Sequence, residues 1–102
     1  GVLEYCILSI LQHGDKYTSE ILLGLKKAEM IVVEGTIYPL LTRLKNAGLL
    51  SYRWEESTSG PPRKYYVLTE NGGMFLKELD KTWHNLINSV NQVISNKITE
   101  DE

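Results

Sequence analysis

The sequence predicts a mainly α-helical fold that carries one small β-hairpin and ends in a long helix. Residues 1–48 place apolar side chains at helical spacing, interrupted by Gly14 and closed by Gly48. Residues 49–68 are rich in aromatic and β-branched side chains on either side of a Gly-Pro-Pro stretch, which is typical of a hairpin. Residues 70–94 repeat apolar side chains at alternating intervals of three and four, which indicates a long amphipathic helix.

The composition limits the class of protein. With 102 residues, 42% of them hydrophobic, the chain suffices for one small domain. Its net charge is −2, but residues 1–68 carry +1 and residues 69–102 carry −3, so a local basic surface remains compatible with the first two thirds. No apolar run approaches the ~20 residues of a membrane helix. The single Cys6 leaves no internal disulfide, and we expect a cytoplasmic protein with no membrane partner.

The sequence offers no recognisable catalytic or metal-binding pattern. It shows no nucleophile–base pair, no phosphate-binding glycine loop and no converging carboxylates, so we expect no enzymatic activity. Cys6, His13 and His84 have no metal-ligand spacing, so neither a metal nor another cofactor is expected. Cys6 lies in an apolar run and is interpreted as a small buried hydrophobic residue.

Three helices are predicted before Gly48. The first, Val2–Gln12, is apolar around most of its circumference and therefore needs cover from its own domain on one side and from a partner on the other. The second is expected to be capped by Thr18 or Ser19. The third spans Glu34–Ala47. Its core-facing arc contains Ile37, Leu40, Leu41 and Leu44, and its opposite arc contains Gly35, Tyr38, Pro39, Thr42 and Asn46, with Arg43 at the edge.

The hairpin and the last helix follow. Strands are predicted over Leu49–Glu56 and Arg63–Leu68, joined by the six residues Ser57–Pro62. Tyr65 and Tyr66 must face opposite sides of their strand, so one of them is expected in the core. Thr69 is expected to cap the last helix, whose apolar seam exceeds what so small a domain can cover. That helix either pairs with a second chain, which we favour, or folds back along its own domain.

This order of elements is that of a winged helix-turn-helix, in which the hairpin forms the wing. We assign residues 1–69 to that domain, 70–96 to a C-terminal dimerisation helix and 97–102 to a disordered tail. In such folds the second helix of the motif enters the major groove of DNA. Arg63 and Lys64 follow the proline-stiffened tip, so we interpret them as phosphate contacts rather than as a solvated turn.

Four segments carry a family resemblance. They are Glu34–Leu44, Gly48–Leu50, Gly60–Tyr66 and Leu68–Gly72, and together they resemble the PadR family of bacterial transcriptional regulators, in the small subgroup with a single C-terminal dimerisation helix. The resemblance extends over roughly residues 3–93. It implies a ligand-responsive repressor that binds an inverted-repeat operator in double-stranded DNA as a homodimer. Val33 stands where many members have a Ser or Thr cap, so the start of the third helix is expected to be capped differently.

The resemblance and the helical arcs together define the candidate site residues. Tyr38 either covers the edge of the core or contacts DNA, Arg43 either pairs with an acid or reads guanine, and Trp83 either fills the dimer core or stacks on a small aromatic effector. The DNA-binding set is Tyr17, Thr36, Tyr38, Pro39, Thr42, Arg43, Gly60, Arg63 and Lys64. The dimer set is Leu3, Ile7, Leu76, Leu79, Trp83, Leu86, Val90 and Val93. The effector-pocket set is Leu8, Leu11, Leu79, Trp83 and Ile87.

One alternative function stays open at this point. A winged helix can also serve as a protein–protein interaction module that does not bind DNA, and the slightly acidic charge of this chain supports that reading. The two hypotheses differ in a simple observation, because the interaction module would show no affinity for duplex DNA even at low salt.

Overall fold

The computed structural model describes residues 1–96, so the tail expected at 97–102 lies outside the described residues. It contains four helices and a three-stranded antiparallel sheet in the order β1-β3-β2, which confirms the predicted fold class. The elements are α1 (Val2–Gln12), β1 (Lys16–Tyr17), α2 (Thr18–Lys27), α3 (Glu34–Asn46), β2 (Leu50–Ser57), β3 (Gly60–Leu68) and α4 (Glu70–Ile94).

A single apolar core joins every helix to the sheet. On α3 the predicted core arc is confirmed, with Ile37, Leu41 and Leu44 buried and Leu40 half-buried. Of the two adjacent tyrosines, Tyr66 is the one in the core. The full set of buried apolar side chains is Ile7, Leu8, Leu11, Ile21, Leu25, Ile37, Leu41, Leu44, Leu50, Tyr66 and Leu76.

The start of α2 differs from the prediction. Thr18 is the first helical residue and Tyr17 is the cap; its backbone N–H donates to the Glu20 carboxylate at 3.1 Å. The reason is β1, a two-residue strand that the sequence does not predict. Lys16 pairs with Tyr66 and Tyr17 with Tyr65, so Tyr17 must stay extended and the helix can begin only after it.

The wing also differs in its tip. The turn consists of Thr58 and Ser59, whereas the predicted connection ran over Ser57–Pro62. Gly60 already pairs with Ser57 across the hairpin, and the two prolines belong to β3. They lie where the pairing of β2 and β3 shifts register, after Glu55. At such a bulge the backbone N–H need not donate to the neighbouring strand, so proline, which has no N–H, is tolerated. Arg63 and Lys64 therefore lie along the wing rather than at its tip.

A short junction attaches α4 to the winged domain. Thr69 caps the helix as predicted, because its Oγ1 accepts the Gly72 N–H at 2.9 Å, and the same hydroxyl donates to the Gly48 carbonyl at 2.7 Å. Gly48 has a φ of 79°, which suits glycine directly after α3. The first half of α4 packs on α1, and from Leu86 onwards its apolar residues are exposed. Within residues 1–96, no helix has the length and apolar character required to cross a membrane.

Candidate nucleic-acid interface

An open cleft of about 580 Å³ lies between the start of α2, the exposed side of α3 and the wing. It brings together five of the nine predicted DNA contacts, which come from three different elements. Because these elements are far apart in sequence, their convergence is a property of the fold. The lining residues are Tyr17, Thr18, Ser19, Glu34, Tyr38, Thr42, Arg63, Lys64 and Tyr66.

Arg63 and Tyr17, which both line this cleft, form a cation–π contact. The guanidinium carbon of Arg63 lies 4.8 Å from the centre of the Tyr17 ring. Tyr17 is itself fixed, because its ring meets that of Tyr65 edge-on at 5.3 Å. A cation–π contact at an exposed site contributes about 0.5–1 kcal/mol, which is enough to orient the arginine while its charge stays available.

Lys64 is positioned in the same way from the other face of the strand. Its Nζ lies 4.2 Å from the ring centre of Tyr52 and 5.2 Å from that of Tyr66. Among residues 1–96, no carboxylate lies within 4.0 Å of Arg63 or Lys64. Both cations are thus held by aromatic rings rather than neutralised, and an anion such as a phosphate can bind them.

Arg53, one strand away, has the opposite arrangement. Its Nε donates to Asp15 at 3.0 Å and its Nη1 donates to Glu55 at 2.8 Å. The hydrogen bonds to Glu55 and Asp15 raise the pKa of Arg53 above its ordinary value. Arg53 therefore ties the wing to the loop after α1 and is poorly suited to bind an external phosphate.

The exposed side of α3 consists of two neighbouring stripes. Tyr38 and Thr42 are four residues apart and line the cleft. Thr36, Pro39 and Arg43 are also exposed, but they follow one another at intervals of three and four along a different stripe, outside the cleft. Of the two alternatives for Arg43, the structure shows the acid pairing, and the acid is Glu4 on α1. Gly60 lies in β3 and also does not line the cleft.

Four cleft residues were not predicted. The sequence predicts Thr18 and Ser19 only as caps of α2, yet they belong to its first turn, where backbone N–H groups without helical acceptors attract anions. Their position directly after Tyr17 was the available signal. Glu34 brings a negative charge to one wall of the cleft, and Tyr66 closes its floor with a buried ring.

Part of the predicted dimer and pocket sets belongs to the core of a single chain. The side chains of Ile7 and Leu76, assigned to the dimer, are 0% and 1% exposed, so they support that surface from beneath and cannot contact a second chain. Leu8 and Leu11 are equally buried and cannot line a pocket between subunits. The all-round apolar character of α1 is thus satisfied largely within its own chain. Leu3, Leu79 and Trp83 are half-buried, whereas Leu86, Val90 and Val93 are exposed.

A groove of about 220 Å³ nevertheless lies at Trp83, between the start of α1 and the middle of α4. The Tyr5 ring lies 6.0 Å from that of Trp83, and the Tyr5 hydroxyl donates to Asp80 at 2.5 Å. That hydrogen bond raises the pKa of Tyr5 above its ordinary value. Ile87, predicted for the pocket, does not line the groove, whose residues are Gly1, Val2, Tyr5, Leu79, Thr82, Trp83 and Leu86.

Comparisons with known proteins agree with this architecture. The family model described as "Transcriptional regulator PadR-like family" matches residues 7–78, more than half of the chain. A PadR-like transcription factor of Bacteroides fragilis is 58% identical over 91% of this chain and 90% of its own, with a TM-score of 0.82. A PadR family transcription regulator of Clostridium difficile R20291 is 32% identical over 92% of this chain and 99% of its own, with a TM-score of 0.86.

A third solved structure gives the same result. The PadR-like transcriptional regulator of Bacillus cereus ATCC 14579 is 38% identical over 92% of each chain, with a TM-score of 0.84. These relatives are transcriptional regulators and not enzymes, in agreement with the expectation from the sequence. The chain described here belongs to the PadR-like family of transcriptional regulators.

Proposed function

We propose that this regulator binds double-stranded DNA in a sequence-specific manner through the cleft between α2, α3 and the wing. The observation that carries the proposal is the convergence of Tyr17, Tyr38 and Thr42 with two cations that have no carboxylate partner among residues 1–96. With α3 in the major groove, Tyr38 and Thr42 face the duplex, and Arg63 and Lys64 meet the phosphates beside it. Family membership favours this function over a protein-interaction module.

The regulator acts as a homodimer on an inverted repeat. The support comes from α4, where Leu86, Val90 and Val93 are 53%, 44% and 66% exposed in the single chain. Such a stripe on a 25-residue helix is costly in water and is covered when a second chain packs along it. Two α3 helices related by a two-fold axis meet half-sites about 34 Å apart, one helical turn of DNA. Like other bacterial regulators of transcription, it works in the cytoplasm with the chromosome.

The regulator is a repressor that a small aromatic effector releases from DNA. The groove at Trp83 supports this proposal, because Tyr5 and Trp83 present two aromatic rings next to the helix that forms the dimer. An effector that binds one arrangement of the dimer more tightly shifts the population towards it, and the affinity for DNA changes by the same coupling free energy. The effector thus acts by changing the separation or tilt of the two α3 helices.

The experiment that tests DNA binding measures affinity for a duplex at several salt concentrations. Removing one phosphate contact lowers the slope of log affinity against log salt by about 0.9. We expect Arg63→Ala to weaken binding to every sequence and to reduce the slope by about that amount. The matched control is Lys77→Ala, which removes an exposed cation from α4, away from the cleft. Equal slopes for wild type and Arg63→Ala would refute the role of the wing in phosphate binding.

A further inference from the structure

One face of the wing carries an aromatic surface that the cleft does not use. Trp54 is 63% exposed and Tyr52 is 42% exposed, and both project from β2 on the same side. Their rings meet edge-on, with centroids 6.4 Å apart. We call Trp54, Tyr52 and the two lysines beside them, Lys45 and Lys64, the wing platform.

Two lysines lie beside the rings of the platform. Lys64 is the cross-strand neighbour of Trp54 and contacts the Tyr52 ring at 4.2 Å, and Lys45 of α3 approaches the same ring at 5.3 Å. Within residues 1–96, no carboxylate lies within 4.0 Å of either lysine. β2 also carries two acids. Glu55 belongs to the opposite face and is bound by Arg53, whereas Glu56, two residues after Trp54, is exposed at the register irregularity and pairs with no cation among residues 1–96.

The platform is also continuous with the cleft. Lys64 belongs to both, since it lines the cleft together with Tyr38 and Thr42. Lys45 follows Thr42 by three residues on the same helix and connects α3 to Tyr52. A duplex that fills the cleft with its major groove would therefore bring an adjacent stretch of its backbone over this face of the wing.

We propose that the wing platform binds the sugar–phosphate backbone of that duplex, with Trp54 as the central contact. The indole ring covers the apolar face of a deoxyribose, its Nε1–H donates to a phosphate oxygen, and Lys45 and Lys64 neutralise the flanking phosphates. This inference rests on the proposed function, because it assigns further residues to the same DNA interface.

Charge complementarity selects DNA over an apolar partner. A protein patch that covered Trp54 would have to desolvate the two lysines, whereas a polyanion uses them. Contacts made by the aromatic rings add binding free energy that salt does not screen, whereas the contribution of the lysines falls as salt rises. Loss of Trp54 should therefore lower the affinity without changing the salt slope, and loss of a lysine should lower the slope.

The test exploits the fact that the chain has two tryptophans, Trp54 and Trp83. In a Trp83→Phe protein, Trp54 is the remaining tryptophan and can be excited selectively over the tyrosines. We expect its emission to shift to shorter wavelength and its quenching by acrylamide to fall at least twofold when a duplex is added. We expect Trp54→Ala to weaken binding about tenfold for all duplexes without changing the salt slope. Lys45→Gln should lower that slope by about 0.9.

Two further variants keep the result interpretable. Met74→Ala removes an equally exposed apolar side chain from α4 and should leave the affinity unchanged. Trp54→Phe keeps an aromatic ring on the wing but removes the N–H donor, and it should lose about threefold in affinity. If duplex binds and the emission of Trp54 stays constant while Trp54→Ala binds normally, the platform proposal is wrong. If the wild-type protein binds no duplex at all, the proposed function fails instead.

Discussion

Gly72, at the junction between the winged domain and α4, is the position where a single methyl group should do most harm. A Cβ built on Gly72 would lie 2.1 Å from the carbonyl oxygen of Leu49 and 2.7 Å from Cδ1 of Leu68. The carbonyl cannot move aside freely, because it accepts the Thr69 N–H at 3.2 Å. The helix cannot move either without lengthening the bond between the Gly72 N–H and Thr69.

The cost of Gly72→Ala follows from these contacts. Relieving the overlap requires a backbone shift on the order of 1 Å, and overpacking of this kind costs about 1–3 kcal/mol. Losing one of the junction hydrogen bonds adds about 1 kcal/mol. The helix preference of alanine over glycine returns up to about 1 kcal/mol. We therefore expect a net loss of about 2 kcal/mol in the free energy of unfolding, which corresponds to a melting temperature lower by roughly 10 °C.

Gly73 provides the matched control. It is the next residue of the same helix, and a Cβ built on it meets no atom within 4 Å. Gly73→Ala should therefore raise the melting temperature by a few degrees, through helix preference alone. The assay is thermal unfolding followed by circular dichroism, at one protein concentration for all variants because the stability of a dimer depends on concentration.

The two glycines must respond in opposite directions for this reasoning to hold. A Gly72→Ala protein that melts within 2 °C of the wild type would show that α4 does not lie against the Leu49 carbonyl as described. Equal destabilisation by Gly73→Ala would point to a general intolerance of the first turn of α4 and would remove the steric explanation.

Two further predictions concern α4. The pKa of Tyr5 is raised above the ordinary 10.0 by its hydrogen bond to Asp80, so that bond stabilises the fold fully below pH 10.0 and is lost as the pH rises through the folded-state pKa. Tyr5→Phe should accordingly be less stable than wild type at pH 7–9, with a gap that narrows at higher pH in urea titrations; a gap that widens would contradict the assignment. Val90→Asp places a charge on the exposed apolar seam of α4 and should convert the proposed dimer to a monomer in light scattering. Asn88→Asp, on the polar side of the same helix, should not. An unchanged dimer for Val90→Asp would exclude the seam as the interface.

Much of the fold could be predicted because its signals are local. Thr69 precedes a long helix and caps it, and the spacing of Ile37, Leu41 and Leu44 gives the buried side of α3 correctly. The tip of the wing was misplaced because Gly60 and the prolines after it are strong turn formers, yet a bulge accommodates them inside β3. The turn at Thr58 and Ser59 has a weaker local signature.

The features that the sequence does not predict depend on contacts between residues that are far apart in the chain. β1 has two residues, too few for an alternating pattern, and it exists because β3 offers Tyr65 and Tyr66 as partners. An apolar helix such as α1 does not reveal which side its own domain covers, so Ile7 and Leu8 were assigned to surfaces although both are in the core. For Arg43 the sequence leaves the acid pairing and the guanine contact open, because its partner Glu4 is 39 residues away and no periodicity along α3 identifies it.

The measurement that tests the central claim most directly is selection from a pool of randomised duplexes. The purified regulator is incubated with the pool at low salt, and the bound duplexes are sequenced. We predict enrichment of an inverted repeat whose half-sites are separated by about one helical turn, roughly 34 Å. A pool that stays random, from a protein that light scattering shows to be dimeric, would contradict sequence-specific binding of DNA by α3 and the wing.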